Sequence, residues 1–170
     1  MILSIDPGNK ESAFVFIDNK QFPVKFGKVE NMELLDYLKD AIWEYKPEHL
    51  AIEMVASYGM PVGKEVFETC VWIGRFIQFL TNLIEDYKLI YRKDEKMDIC
   101  HTMKAKDSNI RQALIDKFGP VGVKKSPGWF YGFKADIWQA YAIGVTYYDM
   151  YLKSKEVQKW KPVFTRENFL

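Results

Sequence analysis

The sequence predicts an α/β fold in which a mixed sheet lies between layers of helices. Three observations carry this. Three β-branched or aromatic runs at the start are joined only by tight turns. A segment that is apolar on both faces follows the first helical stretch, and from there strands and amphipathic helices alternate.

Met1–Ile5 is a short apolar run stopped by the turn signal Asp6-Pro7-Gly8. Ser12–Ile17 is a second strand, ended by Asp18-Asn19-Lys20, and Gln21–Val29 resumes as a third, making an antiparallel meander. Asn31 is suited to cap a helix whose Leu35, Leu38, Ile42 and Tyr45 recur at helical spacing until Pro47. His49–Val55 is apolar apart from Glu53, the pattern of a strand covered on both faces; reached through a helix, it is expected to lie parallel to an earlier strand.

After a loop over Ala56–Val62, a long helix is predicted from about Gly63 to Tyr87. Phe67, Cys70, Val71, Gly74 and Ile77 form one stripe on it, while Trp72, Ile73, Phe76, Phe79, Leu80 and Leu83 extend the apolar surface around the cylinder. Such a helix must be covered on two sides, either deep in one core or by its sheet and a partner chain. Lys88–Arg92 reads as a strand, and Asp107 or Ser108 caps a helix closed by Gly119 and Pro120. A loop over Val121–Phe133 leads to a last helix, from about Lys134 to Leu152.

The 170 residues suggest one domain, assigned to 1–155, with a C-terminal extension over 156–170. A hydrophobic fraction of 48%, with 12 Phe, 10 Tyr and 5 Trp, excludes general disorder. No window approaches the ~20 apolar residues of a membrane span. No secretory signal opens the chain, and two cysteines make neither a disulfide framework nor a four-ligand zinc site, so a cytoplasmic location is expected. The net charge of +1 argues against nucleic acid only until it is divided. Residues 1–54 carry 6 basic and 10 acidic side chains, whereas residues 88–134 carry 11 basic and 5 acidic. The basic segment is either a solvated face or a phosphate-binding surface. The aromatic run Trp129-Phe130-Tyr131-Gly132-Phe133 beside it could stack on unpaired bases or anchor the loop in the core.

Three acids stand out. Asp6 closes the first strand, Glu53 lies near the end of the doubly covered one, and Asp136 falls in the first turn of the last helix. Asp6 and Asp136 each have an ordinary reading, as turn and helix-start residues, but Glu53 sits among Leu50, Ile52, Met54 and Val55. If the two strands are parallel neighbours, Asp6 and Glu53 converge at one edge of the sheet and the last helix can bring Asp136 to them. Oxygen ligands without cysteine or histidine suit Mg²⁺, with Mn²⁺ as substitute, and a carboxylate cluster holding such ions is a common device for phosphodiester hydrolysis.

Ile2-Leu3-Ser4-Ile5-Asp6-Pro7-Gly8 resembles the first strand and turn of RuvC-type Holliday-junction resolvases, in the ribonuclease H-like nuclease superfamily. Pro47–Glu53 resembles that family's fourth strand with its glutamate, and Asp136–Ala142 its last motif. The general style is closer to the phage-encoded branch. The resemblance covers roughly residues 1–150 and implies a ribonuclease H-like fold with a five-stranded mixed sheet. It implies Asp6, Glu53 and Asp136 as catalytic metal ligands of a Mg²⁺-dependent endonuclease that resolves four-way and other branched DNA. It also implies a homodimer packed through the long helix, with Phe67, Val71, Gly74 and Ile77 at the interface, and no membrane partner. The loop Ser57–Lys64 and the stretch Lys104–Lys106 would face DNA, and the expected DNA-binding set is Lys64, Lys104, Lys106, Arg111, Lys124, Lys125 and Lys134. One position departs from the pattern: where the family has a fourth metal-site residue, one helical turn before the last aspartate, this sequence has Phe133. That departure motivates the alternative, a ribonuclease H-like scaffold that binds junctions without cutting them. Actin-like and sugar-kinase ATPases share the superfamily, but they need a duplicated domain, for which 170 residues leave no room.

Overall fold

Successive residues of the central strands point to opposite faces of one sheet, and each face gathers its own core. A computed structural model describes residues 1–154, so the expected extension over 156–170 lies outside the described residues. Strands β1 (Ile2–Asp6), β2 (Glu11–Ile17) and β3 (Pro23–Glu30) form the antiparallel meander. Strand β4 (His49–Met54) pairs parallel with β1, and β5 (Asp86–Tyr91) pairs parallel with β4. The order β3-β2-β1-β4-β5 is the mixed five-stranded sheet expected from the sequence.

Leu3, Ile5, Phe14, Phe16, Leu50 and Ile52 face α1 (Asn31–Tyr45) and α2 (Lys64–Leu80). Ile2, Ala13, Val15, Ile17, Ala51 and Ile90 face the other layer. That layer holds α3 (Arg92–Cys100), α4 (Asp107–Phe118) and α5 (Ile137–Tyr147), which continues as a π-helical turn over Tyr148–Leu152. A two-stranded hairpin, β6 (Gly122–Val123) with β7 (Ser126–Pro127), sits between α4 and α5. Helix α5 lies unusually close to the sheet: a Cβ at Gly144 would stand 2.3 Å from Ile17 Cδ1 and 2.9 Å from Ser4 Oγ. Every residue from Ile137 to Tyr147 except Gln139 is buried.

Several boundaries differ from expectation, each for a local reason. Helix α2 stops at Leu80, not Tyr87, without glycine or proline: Asn82 Nδ2 donates to the Gln78 carbonyl, and the Leu83 and Ile84 amides both turn back to the Leu80 carbonyl. Strand β5 accordingly begins at Asp86, which holds His49 Nδ1 at 3.0 Å and accepts a hydrogen bond from Tyr147 Oη at 2.9 Å. Asn31 is the first residue of α1 rather than its cap, and Lys106, not Asp107 or Ser108, caps α4. Asp136 caps α5 from outside its first turn, and the regular α-helix ends at Tyr147 rather than Leu152. Helix α3 stands where the sequence pattern predicts no element. Among the described residues no helix is long and apolar enough to cross a membrane.

Candidate active site

The parallel pairing of β1 with β4 brings their carboxyl ends together, with Ile5 opposite Ile52, so the next residues, Asp6 and Glu53, stand side by side at the ends of their strands. The turn after Asp6 is pinned by buried polar groups. Asn31 Nδ2 donates to the Gly8 carbonyl at 2.9 Å, Ser12 Oγ donates to Asn31 Oδ1 at 2.6 Å, and the Gly8 amide donates to Ser12 Oγ at 3.2 Å. Glycine is required there, since a Cβ on Gly8 would lie 2.4 Å from the Glu11 carbonyl oxygen. From the opposite side the chain enters α5 through Ala135, whose φ of 40° is left-handed, and Asp136 follows at the helix cap.

These acids line one cleft of about 330 Å³ together with Arg92, Asp107, Ile110, Arg111, Ala135, Trp138 and Gln139. Asp6 and Glu53 lie close enough to act on each other's titration. Burial above all, then the charge of Glu53 and its hydrogen bond, then Asp136 and Glu95, push the Asp6 carboxyl up to about 10. Burial also raises Glu53, against the pull of the Asp6 hydrogen bond and the Arg92 charge. Asp136 is half-exposed and ion-paired with Lys28 Nζ at 2.8 Å; Lys28 also lies 3.5 Å from Glu11. Its hydrogen bond to Asp136 raises the Lys28 ammonium above its ordinary value.

Sequence reasoning missed the second half of this site. Glu95, on α3, is fully buried, and burial followed by the charge of Glu53 pushes it up to about 8. Its Oε2 accepts from Arg92 Nη1 at 2.9 Å and from Gln139 Nε2, and the same Gln139 nitrogen lies 3.5 Å from Glu53 Oε1. Arg92 also pairs with Asp107. The signal available was the unassigned stretch after β5: a strand end is followed at once by charged residues, in the region where the two neighbouring parallel strands place their acids.

Of the expected DNA-binding residues, Arg111 lies in the cleft with its guanidinium 4.7 Å from the centre of the Trp138 ring. Lys104, Lys106 and Lys134 are exposed on segments flanking it, Lys124 and Lys125 are exposed in the β6–β7 hairpin, and Lys64 is exposed at the start of α2 beside Glu68. The aromatic run is chiefly a core anchor. Phe130 and Phe133 are buried, Phe133 packs against Phe26, Phe130, Trp138 and Tyr141, and Trp129 Nε1 donates to Tyr141 Oη, leaving Tyr131 exposed. Neither histidine is at the site: His49 starts β4, at the far end from Glu53, and His101 caps α3. Of the expected interface residues on α2, Phe67, Val71 and Gly74 face outward, and Ile77 packs partly into the core below α1.

The sheet order, the flanking helices and the acids at the ends of β1 and β4 define a ribonuclease H-like fold of the kind found in RuvC-type Holliday-junction resolvases. The chain is similar to Thermus thermophilus RuvC, with a TM-score of 0.65 at 13% identity over 87% of this chain and 94% of that one. A second structure, T. thermophilus RuvC in complex with a Holliday junction substrate, gives 0.65 at 12% identity over 87% and 93%. The Fowlpox virus resolvase complexed with its substrate Holliday junction DNA gives 0.45 at 15% identity over 88% and 99%. No family model and no curated protein matches the sequence.

Proposed function

We propose that this protein is a divalent-metal-dependent endonuclease that resolves four-way and other branched DNA. The observation that carries the reading is the meeting of Asp6, Glu53 and Asp136 in one cleft on a RuvC-like fold. The donor set fits a hard cation, being oxygen only and partly buried. Among the described residues no three acids, histidines or cysteines already form an ion cage; burial and nearby like charges raise the Asp6 and Glu53 carboxyls, and Asp136 is held by Lys28. Deprotonating the raised carboxyls and displacing that lysine would free the three carboxylates to hold Mg²⁺ or Mn²⁺. The bound ions would activate water and stabilise the leaving 3′ oxygen of the phosphodiester. Arg111 would hold a phosphate at the cleft, with Lys104, Lys106 and Lys134 beside it and Lys64, Lys124 and Lys125 further along the backbone. The test is cleavage of labelled four-way junction, fork and duplex DNA with Mg²⁺, with Mn²⁺ and with chelator. Metal-dependent cutting of the branched substrates is expected, and cutting that survives chelation would overturn the metal assignment.

A second reading, junction binding without cleavage, is favoured by one observation: Phe133 is packed into the aromatic core, so it leaves no polar group one turn ahead of Asp136. Tight junction binding with no cutting in either metal would select it.

A homodimer through α2 belongs to the same proposal. Phe67 and Val71 are each 63% exposed, and Leu35, Val71, Gly74 and Phe79 line an apolar groove. Val71→Glu is expected to convert a dimer to a monomer in sedimentation velocity, and an unchanged sedimentation coefficient would count against this surface. Cys70 and Cys100 are free, in keeping with action in a reducing cytoplasm.

A further inference from the structure

Helix α3 places a carboxylate where neither its sequence nor its exposure gives it an ordinary use. Surface salt bridging does not explain Glu95, which is fully buried. Its Oε2 is shared by Arg92 and Gln139, while Oε1 is buried with no hydrogen-bond partner. A buried carboxylate oxygen without a partner is costly. The carboxylates of Asp6, Glu53, Glu95, Asp107 and Asp136 outnumber the nearby cations of Lys28, Arg92 and Arg111. Within this set Glu53 and Glu95 are bridged by Gln139, whose Nε2 reaches both carboxylates. The register explains the proximity: Glu53 lies opposite Ile90 on β5, and α3 starts directly after that strand, so its first turns rise beside Glu53. Meanwhile Phe133 removes any ligand from the turn ahead of Asp136.

We propose that Glu95 is the fourth carboxylate of the cation site, supplied from α3 in place of a residue ahead of Asp136. The proposal rests on the metal-dependent reading above. Gln139 then holds Glu53 and Glu95 together, and Arg92 offsets part of the charge until a cation enters.

The test is Mn²⁺ binding by calorimetry to the full chain, with the metal-free unfolding midpoint measured alongside, for wild type, Glu53→Gln and Glu95→Gln. Wild type is expected to bind Mn²⁺, and both variants to bind it roughly tenfold or more weakly. Glu95→Gln, which removes a buried charge but keeps the shape, is expected to match or exceed the wild-type midpoint without metal. Wild-type Mn²⁺ affinity in Glu95→Gln alongside impaired Glu53→Gln overturns the Glu95 assignment alone. No Mn²⁺ binding by wild type, or equal binding by wild type and Glu53→Gln, overturns the metal reading and this proposal with it. Should Glu95→Gln not fold, Glu95→Asp keeps the charge and withdraws it by one methylene. Weakened Mn²⁺ binding then supports the assignment, and unchanged binding overturns it.

Discussion

Asp6→Asn is expected to abolish DNA cleavage while making the metal-free protein more stable. Asp6 is buried and feels the charges of Glu53, Asp136 and Glu95 together. An amide keeps the volume and can donate to Glu53 as the protonated carboxyl does, so the fold has no reason to change. It cannot neutralise a divalent ion. Losing several kcal/mol of charge stabilisation in the transition state corresponds to roughly a thousandfold or more in rate. Glu53→Gln and Asp136→Asn should share the loss of cutting, and junction binding should persist in all three, since phosphate contacts come from lysines and arginines. Single-turnover cleavage beside gel-shift binding checks this. Retained cleavage in all three variants would sink the nuclease reading, and lost binding in all three would point to misfolding.

The metal-free protein should lose stability as pH rises from about 5 to 8.5, opposite to the behaviour of a protein held together by surface ion pairs. The sign follows from the direction of the shifts. Asp6 is raised from 3.8 to about 10 and Glu95 from 4.5 to about 8 in the folded state, both chiefly by burial. A group raised in this way contributes stability that is fully present below its unfolded pKa and is lost as pH climbs through the folded one. Each proton that the native state keeps and the unfolded state releases costs about 1.4 kcal/mol per pH unit. Asp86 works the other way: its pKa is lowered by the Tyr147, His49 and Lys88 hydrogen bonds against the opposing effect of burial, so its contribution fades only in acid. Adding Mg²⁺ should reverse the trend, because a cation that displaces protons binds better as pH rises. Urea unfolding at pH 5.5, 7 and 8.5, with chelator and with Mg²⁺, measures both arms. A flat or rising profile in chelator would show that the acids are not buried together as described.

Much of this was legible in the sequence because it rests on short-range signals. The apolar runs of β1, β2 and β4 announce strands, the connection through α1 makes β4 parallel to β1, and these two facts suffice to bring Asp6 beside Glu53. Glu95 was not legible. It stands in Arg92-Lys93-Asp94-Glu95-Lys96-Met97-Asp98, whose composition reads as a solvated surface, and nothing local says which of its charges turns inward. Only the packing of α3 against α5 decides that. Gln139 was hidden for the opposite reason, a single polar position in a helix read for its apolar stripe. The early end of α2 was obscured because Asn82, rather than glycine or proline, stands at the stop. The aromatic run was ambiguous by nature, since rings that stack on bases and rings that fill a core have the same composition; Phe130 and Phe133 do the latter.

Helix α5 has a consequence for how the molecule assembles. It is buried almost all round, lies against β1 and β2, and brings Asp136 to acids that belong to β1 and β4. None of these meetings is local in the chain, so loop-closure entropy has to be overcome before any of them is rewarded. The β1–β3 meander can form early, with its acid still hydrated and ionised. Part of the desolvation falls on the step in which α5 docks, because that helix brings Asp136 and Gln139 to the acids of β1 and β4. An ion held by the cluster, as proposed, would lower the cost of that step as well as stabilising the product. If the cluster holds a divalent cation as proposed, that ion would act on this protein twice, first as a folding partner and afterwards in the chemistry.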